Sequence, residues 1–212
     1  SEFSMSELPS RKLILQHFST RDVVMADVIR KVGAFKLSRN RNYFFVLCKA
    51  IIGQQISTKA AESITLRFES LFQGARATPQ RVHDLSENQL REVGLSNQKV
   101  RYMKDLSAKF LDRTIRPHRL PYLENEEIVQ QLTGVYGIGP WTAEMFLIFS
   151  LNRMDILPVG DLGLRAGLKQ LYNMRALPTP ERVRALGKKW HPFETVATWY
   201  TWRTLDEGIV AY

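Results

Sequence analysis

The chain is predicted to be all-α. Three observations carry that prediction: apolar residues recur at helical spacing, Ser or Thr residues that can cap a helix precede several apolar stripes, and no stretch sustains period-two alternation or offers an Asn-Gly hairpin turn. Val24, Val28, Ile29 and Val32 fall on one face, and Gly33 stands where a helix C-cap is needed. Ile64, Phe68 and Leu71 repeat the pattern after Ser57 and Thr58, either of which can serve as an N-cap. "TPQRV" from Thr78 and "TPERV" from Thr179 each place a capping Thr before a proline at the first helical position, where the missing N–H costs nothing. "SENQ" from Ser86 fits a reciprocal capping box with Gln89. Val100, Met103, Ser107, Phe110 and Leu111 form another stripe, and Ile128 and Leu132 mark a helix over "EEIVQQL". Leu164, Leu168 and Leu171 follow Asp161 at the same spacing, so Asp161 reads first as an N-cap. About ten helices with short connections are expected, without repeats or a low-complexity linker.

Composition narrows the function classes. The 212 residues are 44% hydrophobic and 24% charged, an ordinary soluble globular balance, long enough for one large domain or two small lobes. "SEFS" ahead of Met5 reads as a cloning remnant and is set aside. No basic-then-apolar leader is visible, and no apolar run suits a bilayer span; Met145 to Leu151 is a core segment. Cys48 is the only cysteine, which excludes an intrachain disulfide, a cysteine-ligated zinc site and an iron–sulfur cluster, and suits a reducing intracellular compartment. His17, His83, His118 and His191 lack metal-ligand spacing and read as surface or capping residues.

Thirty Lys and Arg against twenty-one Asp and Glu give a formal charge of +9. The excess concentrates in two segments, Lys99 to Arg119 and Arg165 to Lys189. A polyanionic partner follows, and two basic segments in one small chain favour nucleic acid over a membrane surface.

The segment "LTGVYGIGPWTAEMFLIFSL", Leu132 to Leu151, sets Gly134, Gly137, Gly139 and Pro140 against an apolar run. No strand feeds this loop and the glycine order differs from a dinucleotide fingerprint; a Gly-Lys-Ser/Thr phosphate loop is also absent. What remains is helix, glycine turn, helix. Such a turn exposes backbone N–H groups near Gly137, Gly139 and Thr142 at a helix N-terminus, donors that can hold a phosphate without reading sequence. A plain helical hairpin fits those residues as well.

"LTGVYGIGPWTAEM" resembles the hairpin of the helix-hairpin-helix DNA glycosylase superfamily, and "ILPVGDLGLRAG" resembles that superfamily's loop with the catalytic aspartate. "AIIGQQISTKAAESI" and "WHPFETVATWYTWR" resemble the branch containing DNA-3-methyladenine glycosylase II. The likeness covers roughly Tyr43 to Arg203, and it is the order of the four motifs that makes it specific. It implies two helical lobes with a central cleft: a hairpin-bearing lobe over about residues 41–150, and a second lobe from about 5–40 plus 151–212.

The resemblance also implies roles. Asp161 would be catalytic, because removing a base leaves positive charge on the sugar that an ionised carboxylate stabilises. Trp141 and Trp202 would line the pocket of the extruded base, where an electron-rich ring face attracts a cationic alkylated purine. Met145, one turn after Trp141, stands where some relatives carry an aromatic and leaves selectivity open. Gln55, at the expected end of a helix, would fill the gap left by the flipped nucleotide. Carbonyls of Thr133, Val135 and Ile138 would be the holders of a Na+ or K+ ion beside the DNA phosphate; no cofactor is required. Glu194 departs from the family pattern, where a basic residue is common.

The expected activity is therefore monofunctional excision of alkylated purines from double-stranded DNA, by a monomer working inside the cell. Two other readings stand beside it. A non-catalytic DNA-binding module would not need Asp161, Trp141 and Trp202. A bifunctional glycosylase/lyase for oxidised bases would need a lysine where Trp141 stands.

Overall fold

The computed structural model describes residues 8–205. The remnant before Met5 lies outside them, as do residues 5–7 and 206–212 of the expected second lobe. The described residues form α1 (Arg11–Arg21), α2 (Val23–Val32), α3 (Tyr43–Gly53), α4 (Thr58–Ser70), α5 (Pro79–Asp84), α6 (Glu87–Glu92), α7 (Asn97–Leu111), α8 (Asn125–Thr133), α9 (Pro140–Phe149), α10 (Leu162–Leu171), α11 (Pro180–Gly187) and α12 (Glu194–Arg203). Short 3-10 turns occupy Leu120–Tyr122 and Lys188–Trp190. The all-α expectation holds, with twelve α-helices among the described residues where about ten were expected. The chain folds as two compact units, residues 40–146 and the segments on either side of them, so the second division point falls within α9.

In the unit of residues 40–146, α7 is the central element and packs on α3, α5 and α6, while α4 packs on α3. Val100, Met103, Leu106, Ser107 and Phe110 of α7 are buried, and Phe110 meets Phe44 edge-on at 5.2 Å. Leu111, expected in the stripe, is 38% exposed because the helix ends there. Leu47, Cys48, Ile51 and Ile52 of α3 are fully buried, each large apolar side chain contributing about 1.5–3 kcal/mol. Burial pushes the Cys48 thiol up, so it is inert packing. Local signals behaved as expected. Ser57 caps α4 through the Ala60 amide, Thr78 caps α5 through Arg81, and Ser86 and Gln89 close both halves of their box.

In the other unit, α2 packs on α1 and α12, and α12 packs on α10. Every residue from Thr195 to Trp202 is buried. Gly167 of α10 lets α12 come close, since a Cβ there would lie 2.5 Å from Thr201 Cγ2. Gly33 does end α2, at φ +98, but the buried face is Met25, Ala26, Val28 and Ile29; Val24 is half-buried and Val32 is exposed at the helix end. Tyr200 ties that cap down by donating to Gly33 O at 2.6 Å.

His17 corrects the surface reading of the histidines. It is buried on α1 with its ring edge-on to Phe18 and Phe193, and burial, then Arg21, holds its pKa below the ordinary value. The other three are exposed. Asp22, between α1 and α2, is also buried. Its carboxylate accepts from Trp190 Nε1 at 2.7 Å, Tyr172 OH at 2.5 Å and the Met25 amide at 3.2 Å, and Lys189 Nζ lies 3.0 Å away. Those four donors gather α2, the end of α10 and the 3-10 turn around one charge.

Candidate functional site

Asp161 is placed by a turn in which its own amide donates to Pro158 O at 2.9 Å. Its backbone is extended, and Oδ2 accepts from the Leu164 amide at 2.6 Å, so it is the N-cap of α10 as its position before Leu164 and Leu168 suggested. Trp202 Nε1 donates to the same oxygen at 2.8 Å. A backbone donor and a side-chain donor thus meet at this carboxylate, which is 7% exposed. Gly163 makes room for this pairing: a Cβ there would stand 3.2 Å from Asp161 Oδ2 and 3.4 Å from Trp202 Nε1. Leu162, the next residue in the chain, is 67% exposed.

Trp202 is buried on α12 and its ring lies parallel to Phe149, 6.0 Å between centroids. Its indole N–H meets the Asp161 carboxylate, a pairing that sequence spacing did not reveal. Glu194, at the first position of α12, approaches His191 Nδ1 at 2.9 Å, and an acidic residue suits a helix N-terminus. That gives the unexpected glutamate a structural place.

The hairpin belongs to the other unit. α8 ends at Thr133, the chain turns through Gly134 to Gly139, and α9 starts at Pro140. Gly137 has φ +82, and a Cβ on it would sit 2.1 Å from the Tyr102 ring, so glycine is required twice over. α7 supports the turn from beneath. Asp105 Oδ2 accepts from the Tyr136 amide at 2.8 Å, and the same carboxylate is paired with Lys109 at 2.9 Å. Gln98 donates to the Tyr102 hydroxyl. Ile138 N–H is spent on Val135 O at 3.1 Å, within the turn that carries Gly137 and Gly139. The Val135 carbonyl keeps a second lone pair.

Trp141 is 38% exposed at the start of α9, and Met145, one turn on, is buried at 8%. Gln55 is exposed with φ +57 in the turn between α3 and α4, two residues beyond the last helical residue of α3. The structure thus brings Asp161 to Trp202, and it sets the residue before Gln55 against the hairpin, since Gln54 Nε2 donates to Gly137 O at 2.5 Å.

Part of the basic character is internal. Lys99 Nζ donates to Ile52 O at 2.7 Å, Lys104 Nζ donates to His83 O at 2.6 Å and to Leu85 O, and Arg165 Nε donates to Pro178 O at 2.8 Å. Burial lowers the pKa of Lys99 and of Lys104. Arg101, Arg113, Arg116, Arg119, Lys169, Arg175, Arg182 and Lys188 are exposed. Among the described residues no helix is long and apolar enough to cross a membrane, and no group of His, Cys, Asp or Glu side chains could hold a metal ion.

A family model for HhH-GPD superfamily base excision DNA repair proteins matches residues 48–193. The chain is 34% identical over 193 residues to DNA-3-methyladenine glycosylase 1 of Schizosaccharomyces pombe, covering 89% of this chain and 85% of that protein. Its structure is similar to that of the S. pombe 3-methyladenine DNA glycosylase in complex with abasic DNA, with TM-score 0.80, 32% identity, and coverage of 94% and 99%. It is also similar to a DNA-3-methyladenine glycosidase from Bacillus halodurans, with TM-score 0.84, 34% identity, and coverage of 95% and 91%.

Proposed function

The chain belongs to the HhH-GPD superfamily of base excision DNA repair proteins, and on that premise we propose that it is a monofunctional DNA glycosylase excising alkylated purines, of the 3-methyladenine and 7-methylguanine type, from duplex DNA. The observation that carries the proposal is Asp161: a buried carboxylate capping α10 and aimed by Trp202 Nε1. Excision begins with extrusion of the damaged nucleotide, and Gln55 occupies the vacated stack. The bond between C1′ and the purine nitrogen breaks with its electron pair leaving on the base, which neutralises the charge that alkylation placed there. Positive charge then develops on the sugar, and the fixed Asp161 carboxylate stabilises it. A water oxygen bonds to C1′, and its proton passes to Asp161 or to solvent.

Trp141 presents a half-exposed indole to a cationic base. It stands where a lyase would need an amine, so no Schiff base forms and the strand stays intact. Amides of Gly137, Gly139 and Thr142 take a phosphate at the start of α9. The carbonyls of Thr133, Val135 and Ile138 would hold a monovalent cation, whose charge would strengthen that phosphate contact. The protein acts as a monomer, at the DNA within the cell.

The test is incubation with duplexes carrying 7-methylguanine, 3-methyladenine, hypoxanthine or 1-methyladenine, followed by chromatography of the released base and by borohydride trapping. Free alkylpurine with a strand that breaks only on alkali treatment is the expected result. A borohydride adduct matching that of a known lyase, or no release from any duplex, would overturn the reading.

A further inference from the structure

Gln54 is the C-cap of α3, and its side-chain amide reaches across 83 residues of sequence to donate to Gly137 O at 2.5 Å. Lys99 Nζ holds Ile52 O, two residues earlier, at 2.7 Å. The next residue, Gln55, leaves the cap in the left-handed region at φ +57 with its side chain exposed. A non-glycine residue in that conformation persists only where its surroundings fix it. Here both fixtures come from the hairpin and its support. Gly137 is itself held, with the Tyr102 ring against it and the preceding Tyr136 amide bonded to Asp105. The turn carrying Gln55 and the turn carrying the phosphate donors are thus one hydrogen-bonded assembly inside the unit of residues 40–146.

We propose that Gln54 is a positioning residue that locks the gap-filling turn to the hairpin, so that seating a phosphate on the hairpin sets Gln55 at the depth needed to replace the extruded base. The inference rests on the assignment of Gln55 made above and adds a residue that contacts neither the phosphate nor the base. Its amide acts through a bond made before DNA arrives. Losing that bond leaves phosphate binding in place and frees the Gln55 turn to relax.

The test uses the full chain and the variants Gln54→Met, which keeps side-chain length and packing without a donor, and Gln54→Asn, which keeps the amide but is one methylene too short. Two measurements separate the roles. The first is fluorescence of 2-aminopurine placed opposite a tetrahydrofuran abasic analogue, which reports insertion into the gap and requires no chemistry. Parental protein is expected to change that fluorescence. Both variants are expected to bind the duplex within about threefold of parental affinity yet lose most of the change, a single hydrogen bond being worth about five- to tenfold. The second is single-turnover excision of 7-methylguanine, paired with cytosine or placed opposite an abasic site. Both variants should slow about tenfold on the paired duplex and less than about threefold on the unpaired one, because extrusion is easier where no partner holds the base. The Gln54→Met/Gln55→Ala double variant should be no slower than Gln55→Ala alone. Parental fluorescence in both variants, equal slowing on the two duplexes, or additive losses in the double variant would each overturn the proposal. Parental protein that inserts but excises nothing would instead contradict the glycosylase reading and leave this one judged by fluorescence.

Discussion

Trp202 donates its indole N–H to Asp161 Oδ2 at 2.8 Å while the Leu164 amide donates to that same oxygen at 2.6 Å. One carboxylate oxygen thus joins α10 to α12, and the residue proposed to face the sugar cation is fixed by the core itself.

Trp202→Phe keeps an aromatic ring to lie against Phe149 and removes the N–H together with the five-membered ring that carries it. A hydrogen bond to a charged group is worth about 1.5–3 kcal/mol, so kcat should fall about ten- to a hundredfold with KM little changed. Steady-state kinetics on a 7-methylguanine duplex checks this. An unchanged kcat would show that the indole does not orient Asp161.

Gly163→Ala should reproduce much of that loss from the other side. The added methyl would crowd Asp161 Oδ2 at 3.2 Å and come into contact with Trp202 Nε1 at 3.4 Å. The backbone there is ordinary α10 helix, so alanine suits it and thermal stability should hold while excision drops. Parental activity in a folded Gly163→Ala protein would contradict the account.

Asp22 predicts an acid-side dependence of stability. Burial alone would raise its pKa, and the donors Trp190, Tyr172 and Lys189 together outweigh burial and hold it below the usual 3.8. Its contribution is therefore complete above the unfolded value and is lost as pH falls through the lower folded value. Asp22→Asn should cost about 3 kcal/mol near neutral pH, because it leaves Lys189 and Tyr172 short of a charged acceptor, and the cost should shrink at strongly acid pH. Urea unfolding at several pH values is the check; a cost independent of pH would contradict the assignment.

The helices were readable where their determinants are local. The Ser86 and Gln89 box, the Thr-Pro starts and the Asp161 cap each span only a few residues. α12 left no stripe to read, since a helix buried on every side has no polar face to set its period. The supports of the site are distant in sequence: Trp202 lies 41 residues from Asp161, Gly137 lies 83 from Gln54, and Trp190 lies 168 from Asp22. No spacing rule can find such pairs. Charge misled in a similar way, because Lys99 and Lys104 look like surface cations in the sequence and are committed to carbonyls in the fold.

That commitment yields a prediction about salt. The slope of log affinity against log salt, about 0.9 per phosphate neutralised on duplex DNA, should come from exposed residues such as Arg113, Arg116 and Arg119. Lys104→Met should lower thermal stability and leave the slope unchanged. Binding isotherms at several salt concentrations test this; a slope that falls with Lys104→Met would show that the lysine reaches DNA.

Asp161→Asn offers the most direct measurement of the central claim. Asparagine keeps an oxygen for the Leu164 amide and for Trp202 Nε1, so the cap and the fold survive while the charge is removed. Release of free 7-methylguanine from duplex DNA by the parental protein and by Asp161→Asn is compared under single turnover, alongside affinity for an abasic duplex. The account predicts excision lost in the variant with affinity within about threefold of parental, since charge on the sugar develops only in the transition state. Excision at near-parental rate by a folded, DNA-binding Asp161→Asn protein would reduce Asp161 to a helix cap and contradict the account.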